Sequence, residues 1–148
     1  MTTRVSIVTE PIDPAAVLRE VESPAHGASI LFVGLVRETN DGRDVSGMDY
    51  TAYVGMAERE MRTIADEAVR EFPGSFVVIV HRIGELAIGE ASVAIATSHA
   101  HRDQAYVASR YAIEQLKTRV PIWKREHYVD GTREWVDPTA KKERVRSV

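Results

Sequence analysis

The sequence predicts an α+β fold in one domain, and three observations lead there. The chain has 148 residues, the size of one ordinary domain and enough to bury a real core. Short β-branched runs alternate with two long stretches of helical apolar spacing. Gly, Pro, Asn and Asp punctuate the junctions between them. Residues 4–9 alternate around Val5 and Ile7 as a first strand. Asp13-Pro14 then places an N-cap ahead of a proline at the first helical position, starting a short helix that runs to about Val21. Residues 28–37 form a continuous apolar run, read as a buried strand. Residues 38–47 are polar around Asn40-Asp41-Gly42 and read as a mobile loop.

Residues 48–54 alternate as a strand. Met61, Ile64, Ala65, Ala68, Val69 and Phe72 give residues 56–72 the spacing of a long helix, ended by Pro73-Gly74. Residues 76–82 are β-branched, Leu86 and Ile88 sit in a short glycine-bounded segment, and residues 92–98 form another strand. The second long helix covers 102–120 and stops at Pro121. A strand at 122–129, a tight turn at Asp130-Gly131 and a partner strand at 132–136 complete the pattern. The domain covers 1–148, with 136–148 read as a flexible charged tail. Periodicity does not set the strand order.

Composition removes several functions. The chain has no cysteine, so a thiolate zinc site, a cysteine nucleophile and a persulfide carrier are all excluded. Lys+Arg of 19 against Asp+Glu of 22 gives a net charge of −3, so no bulk attraction to nucleic acid is expected. No apolar leader opens the sequence, and the longest apolar run, 30–36, falls far short of the ~20 residues that span a bilayer. A cytoplasmic protein without membrane or nucleic-acid partners is expected.

The lysines are unevenly placed. They are Lys117, Lys124, Lys141 and Lys142 alone, and the first two flank Val120-Pro121-Ile122-Trp123. Lysine can work as a base or nucleophile where arginine cannot. Two cations on either side of a proline break can point into one cleft, or can stand solvated at a helix end. Between His99 and His127, six arginines and lysines face three acids, which accords with an anion pocket or with a solvated, ion-paired helix face. Arg37 closes an apolar run, and His101-Arg102 precede a helix start whose amides favour an anion. His99-x-His101 is a candidate metal pair, though no third ligand is evident.

These residues resemble one family, the large, catalytic subunits of molybdopterin synthase. The resemblance rests on Phe32-Val33-Gly34-Leu35-Val36-Arg37, Tyr50-Thr51-Ala52-Tyr53 with Met56-Ala57, and His81-Arg82-Ile83-Gly84. Further along it rests on Ser98-His99-Ala100-His101-Arg102, Leu116-Lys117, Val120 to Glu126, and Asp130-Gly131 before Trp135. The matches keep the family's order across 27–135, and the two lysines around Pro-Ile-Trp are the most specific of them. Thr51 departs from the acidic residue expected there.

The resemblance implies an α/β-hammerhead fold with mostly antiparallel strands. It implies a sulfurtransferase of molybdenum cofactor biosynthesis. The reaction moves sulfur from the thiocarboxylated C-terminus of a small ubiquitin-like subunit to cyclic pyranopterin monophosphate, forming the molybdopterin dithiolene. The assembly implied is a homodimer within a heterotetramer, and neither a cofactor nor a metal is needed. Lys117 matches the catalytic lysine, beside the partner's terminal glycine, and Lys124 the second essential lysine. Leu35, Val36, Arg37, His101, Arg102, Arg125 and Glu126 match the substrate-binding set, Leu35 and Val36 through their backbone. Two other readings are a non-catalytic binding module for a ubiquitin-like or anionic-tailed partner, and a metal-dependent hydrolase around His99 and His101.

Overall fold

The computed structural model describes residues 3–136. In chain order the elements are β1 (Thr3–Val8), α1 (Pro14–Arg19), β2 (Ala28–Leu35), β3 (Thr39–Asn40), β4 (Arg43–Ala52) and α2 (Val54–Glu71). Then come β5 (Phe76–Arg82), β6 (Gly84–Ala87), β7 (Ala91–His99), α3 (Arg102–Arg119), β8 (Ile122–Tyr128) and β9 (Arg133–Val136). One sheet has the order β1-β5-β7-β2, and its β1–β5 pair is parallel while the others are antiparallel. The second has the order β3-β4-β8-β9, with β6 also on β4, and is antiparallel throughout. This is the α+β fold with two long helices that the sequence predicts, with the mostly antiparallel strands that the family resemblance implies.

The first sheet is buried on both faces, which is why β5 and β7 read as unbroken apolar runs. Val77 and Ile79 face the helices α2 and α3, while Val78 and Val80 face α1 through Val17 and Val21. Helix α1 begins where Asp13 accepts hydrogen bonds from the amides of Ala15 and Ala16. Helix α2 buries Ala57, Met61, Ile64, Ala65 and Ala68, one helical stripe. Helix α3 buries Ala105, Ala108, Ser109, Ala112 and Leu116, small residues that let its backbone lie close to β7. The Thr97 hydroxyl donates to the carbonyl of Ala105 across that contact at 2.8 Å. The two long helices are clamped by Arg119, which bonds both Glu60 and Glu67, and by the Tyr111 hydroxyl on Glu67. Ile64 is fully buried in this core. Ile64→Ala is expected to cost about 2–5 kcal/mol, read as a lower urea midpoint at unchanged slope.

Residues 38–47 are not the mobile loop expected from their polarity. They form a hairpin of β3 and the start of β4, turning at Asp41 (φ 50°) and Gly42 (φ 77°), the two positive-φ positions of a tight hairpin turn. Arg43 pins the hairpin to the far end of the second sheet. Its guanidinium lies 3.4 Å over the Tyr128 ring and pairs with Glu134 and Asp130. The strand expected over 28–37 ends earlier, at Leu35, after a bulge at Gly34/Leu35. The expected tail lies outside the described residues, except for Val136, which is the last residue of β9.

Candidate active site

The C-terminal end of α3 meets the inner face of the second sheet. Strand pairing sets which side chains share that face: Tyr50 stands opposite Lys124, and Met48 opposite Glu126. The Tyr50 ring meets His81 edge-on at 5.2 Å. Burial raises the Tyr50 phenol, and the nearby Glu126 carboxylate adds to the shift. His81 is 5% exposed at the end of β5, on the same side as Ile79 and Leu116. Its Nδ1–H donates to the Arg82 carbonyl at 2.8 Å, which fixes the tautomer and leaves Nε2 as the acceptor. Burial pulls its pKa from 6.5 down to about 4, with Lys117 adding to the shift and the Arg82 bond opposing it. Lys124 thus stands opposite Tyr50 on β8, and Lys117, on the last turn of α3, is near enough to His81 to bear on its charge. They are the only lysines among the described residues.

The shifted histidine makes stability depend on pH. The unfolded chain takes up this proton near 6.5, and the folded chain resists it down to about 4. Its contribution is therefore complete above pH 6.5 and disappears as pH falls towards 4, a difference of about 3 kcal/mol. Urea unfolding at several pH values checks this: His81→Gln is expected to flatten the loss between about pH 6.5 and 4 relative to the parent protein.

Arg37 and Glu126 join the lysines through a residue the sequence reading did not single out. Arg37 donates to Asn40 Oδ1 at 3.1 Å, and Asn40 Nδ2 donates to Glu126 Oε1 at 2.6 Å. Glu126 is 1% exposed, and its Oε2 is buried with no hydrogen-bond partner among the described residues. Val36 is fixed by the fold, since its amide donates to the Glu90 carbonyl and its own carbonyl accepts from the Gly89 amide. Its amide is thereby used, and its carbonyl keeps one acceptor position. Leu35 pairs with Ala91 at the bulge and presents an exposed side chain.

Arg125 does not join the cluster. Strand alternation turns it to the opposite face of β8 from Lys124 and Glu126. There it bonds Asp49 at 2.6 Å and lies 5.2 Å from the Trp135 ring centre. Burial pushes the Asp49 carboxyl up, but hydrogen bonds from Arg125 and His127 outweigh it and hold it below its usual range.

His101 and Arg102 lie at the other end of α3. They line an open groove of about 480 Å³ with Gly27, Ala100, Asp103 and Gln104. Gly27 belongs there because a Cβ would come within 2.8 Å of the Ala100 carbonyl oxygen. From Arg102 to Lys117 is fifteen residues of helix, or about 22 Å at 1.5 Å per residue. The chain therefore separates two sets of predicted site residues that the sequence places in one basic region. His99 is no metal ligand in this arrangement. Its Nε2–H donates to the Pro73 carbonyl and its Nδ1 accepts from the His101 amide. No group of three or more potential metal ligands occurs among the described residues.

The family described as MoaE protein matches residues 7–119. This chain belongs to the MoaE family. Among MoaE relatives, it is 42% identical to the molybdopterin synthase catalytic subunit of Emericella nidulans, over 84% of this chain and 64% of that one. It is 45% identical to the protein of the same name from Staphylococcus carnosus, over 88% of this chain and 86% of that one. The chain thus spans about two thirds of the length of the fungal relative and most of the bacterial one. Molybdopterin synthase from Staphylococcus aureus superposes with a TM-score of 0.85 at 41% identity, covering 89% of this chain and 96% of that one. The molybdopterin cofactor biosynthesis protein E of Burkholderia multivorans does so with 0.76 at 33%, covering 97% and 98%. The lysine cluster therefore stands within a MoaE fold shared over nearly all of the described residues.

Proposed function

We propose that this chain is the catalytic subunit of a molybdopterin synthase, a single domain over 1–148 working in the cytoplasm. It transfers sulfur from the thiocarboxylated C-terminus of a small ubiquitin-like subunit to cyclic pyranopterin monophosphate. The observation that carries this reading is the placement of the two lysines around one ring pair, Lys124 opposite Tyr50 on β8 and Lys117 at the end of α3 on the His81 side. A chain without cysteine takes its sulfur from a partner, and both the partner's terminus and the substrate phosphate are anions. Arginine and lysine donors suit them. Lys117 serves as the acid/base or transient acyl acceptor at the partner's terminal glycine. Lys124 positions substrate and moves a proton. Arg37 binds anionic oxygen, and Glu126 continues the binding segment after Lys124, its carboxylate tied to Asn40 from within the sheet. Arg125 supports the sheet from behind through Asp49.

His101 and Arg102 enter through a second copy. One copy holds them about 22 Å from Lys117 along α3, too far for one small substrate to bridge. A homodimer whose copies exchange these ends completes each site, with one small subunit per site giving the heterotetramer. A single-turnover reaction tests the activity. This protein, mixed with thiocarboxylated small subunit and cyclic pyranopterin monophosphate, is expected to yield the dithiolene product. A stable complex that yields none would turn the assignment towards a binding module.

A further inference from the structure

We propose that Asn40 is a positioning residue, one that aims the Arg37 guanidinium at the substrate phosphate while leaving its charge unspent. The role rests on the reaction proposed above, and on three features of the hairpin. Asn40 is 8% exposed and stands just before the Asp41-Gly42 turn, opposite Arg43 in the register. Its backbone is held where the turn and the Arg43–Tyr128 stack put it. Its amide then faces two ways: Oδ1 accepts from Arg37, and Nδ2 donates to Glu126 Oε1. Arg37 follows β2, Asn40 lies in β3 and Glu126 in β8, so the relay ties two strands and the segment after β2 into one fixed geometry.

The chemistry explains why an amide stands there. Arg37 is exposed and its long side chain has many rotamers, so aiming it needs a partner. A carboxylate would aim it by forming an ion pair, and that pair would compete with the incoming anion. A neutral amide accepts one N–H and cancels none of the charge. The other half of the same amide donates to Glu126, two residues along β8 from Lys124 and on the same face. Arg37 is thereby registered to the lysine strand.

The test uses the full chain with its small subunit and four variants. Asn40→Ala removes both bonds. Asn40→Asp keeps an acceptor for Arg37 but adds a charge facing Glu126. The pair Asn40→Asp with Glu126→Gln, with Glu126→Gln alone as its reference, restores a hydrogen bond at each end with the negative charge moved next to Arg37. Asn40→Ala is expected to raise KM for the cyclic phosphate by about ten-fold or more, the scale of a hydrogen bond to a charged group, with kcat within about two-fold. The double variant is expected to raise KM above that of Glu126→Gln alone, because its Arg37 is neutralised. A second readout needs no reaction: the side-chain N–H signals of Arg37 in ¹⁵N NMR, sharp and restricted in the parent, are expected to average in Asn40→Ala. Unchanged KM with unchanged Arg37 signals overturns the proposal, and so does a double variant whose KM is no higher than that of Glu126→Gln alone. Should alanine prevent folding, Asn40→Ser, which keeps a short donor and acceptor, is held to the same readouts, with KM and Arg37 mobility between parent and expected alanine values. Arg37 signals that loosen in a protein whose parent makes no dithiolene would sink the assigned reaction and leave the tether standing.

Discussion

Lys117→Ala is expected to lower single-turnover dithiolene formation by about 10²–10⁴-fold, the range supplied by one acid–base or nucleophilic group. The fold should be untouched. Lys117 is exposed on the last turn of α3, while Leu116 beside it makes the core contact, and surface changes of this kind shift stability by about 0.5 kcal/mol or less. Lys117→Arg is the sharper variant. It keeps the positive charge, so it should still bind the anionic tail of the small subunit. It cannot readily give up its proton at neutral pH, nor accept an acyl group as an amine does. Wild-type complex formation with product loss marks a catalytic lysine. Full turnover by the arginine variant would reduce Lys117 to an electrostatic anchor and place the proton-transfer or acyl-accepting group elsewhere in the site.

A mixture of two inactive proteins is expected to regain activity. Lys117→Ala and Arg102→Ala lie at opposite ends of α3, and each should disable its own homodimer. In a dimer that exchanges these ends, the mixed species carries one site with both defects and one with neither. With random reassociation the mixture should recover about a quarter of the parental rate, since half the dimers are mixed and half their sites intact. Were both residues used within one copy, every site would keep one defect and mixing would restore nothing. Refolding the two variants together and assaying the product decides between the arrangements.

What the sequence made legible follows from how local each signal is. Helices α2 and α3 were visible because their apolar stripes are long and their ends are marked by proline. Both lysines were visible because lysine is scarce here and the pair straddles Pro121. The hairpin at 39–45 was hidden. Its buried residues are Asn40 and Val45, too few for an alternating pattern, although Asp41-Gly42 carried the turn. Asn40 could not be ranked above other polar residues, because its partner Glu126 is 86 positions away. That Arg125 faces away from Lys124 and Glu126 was legible locally, since neighbours on a strand point to opposite faces. The separation of Arg102 from Lys117 was also within reach, as fifteen residues of helix span about 22 Å.

The parallel pairing of β1 with β5 has a consequence for how the polypeptide is made. Val5 pairs with Ile79, which is joined to the nascent chain 74 residues later. At about 5–20 residues per second, the first strand waits roughly 4–15 s for its partner. Antiparallel β7, which covers the other edge of β5 and receives β2, comes later still. Closure of β5 on β7 is the short-range step, so β1 is expected to dock after it. An apolar strand therefore stays without its β5 partner on the nascent chain for several seconds after it is made.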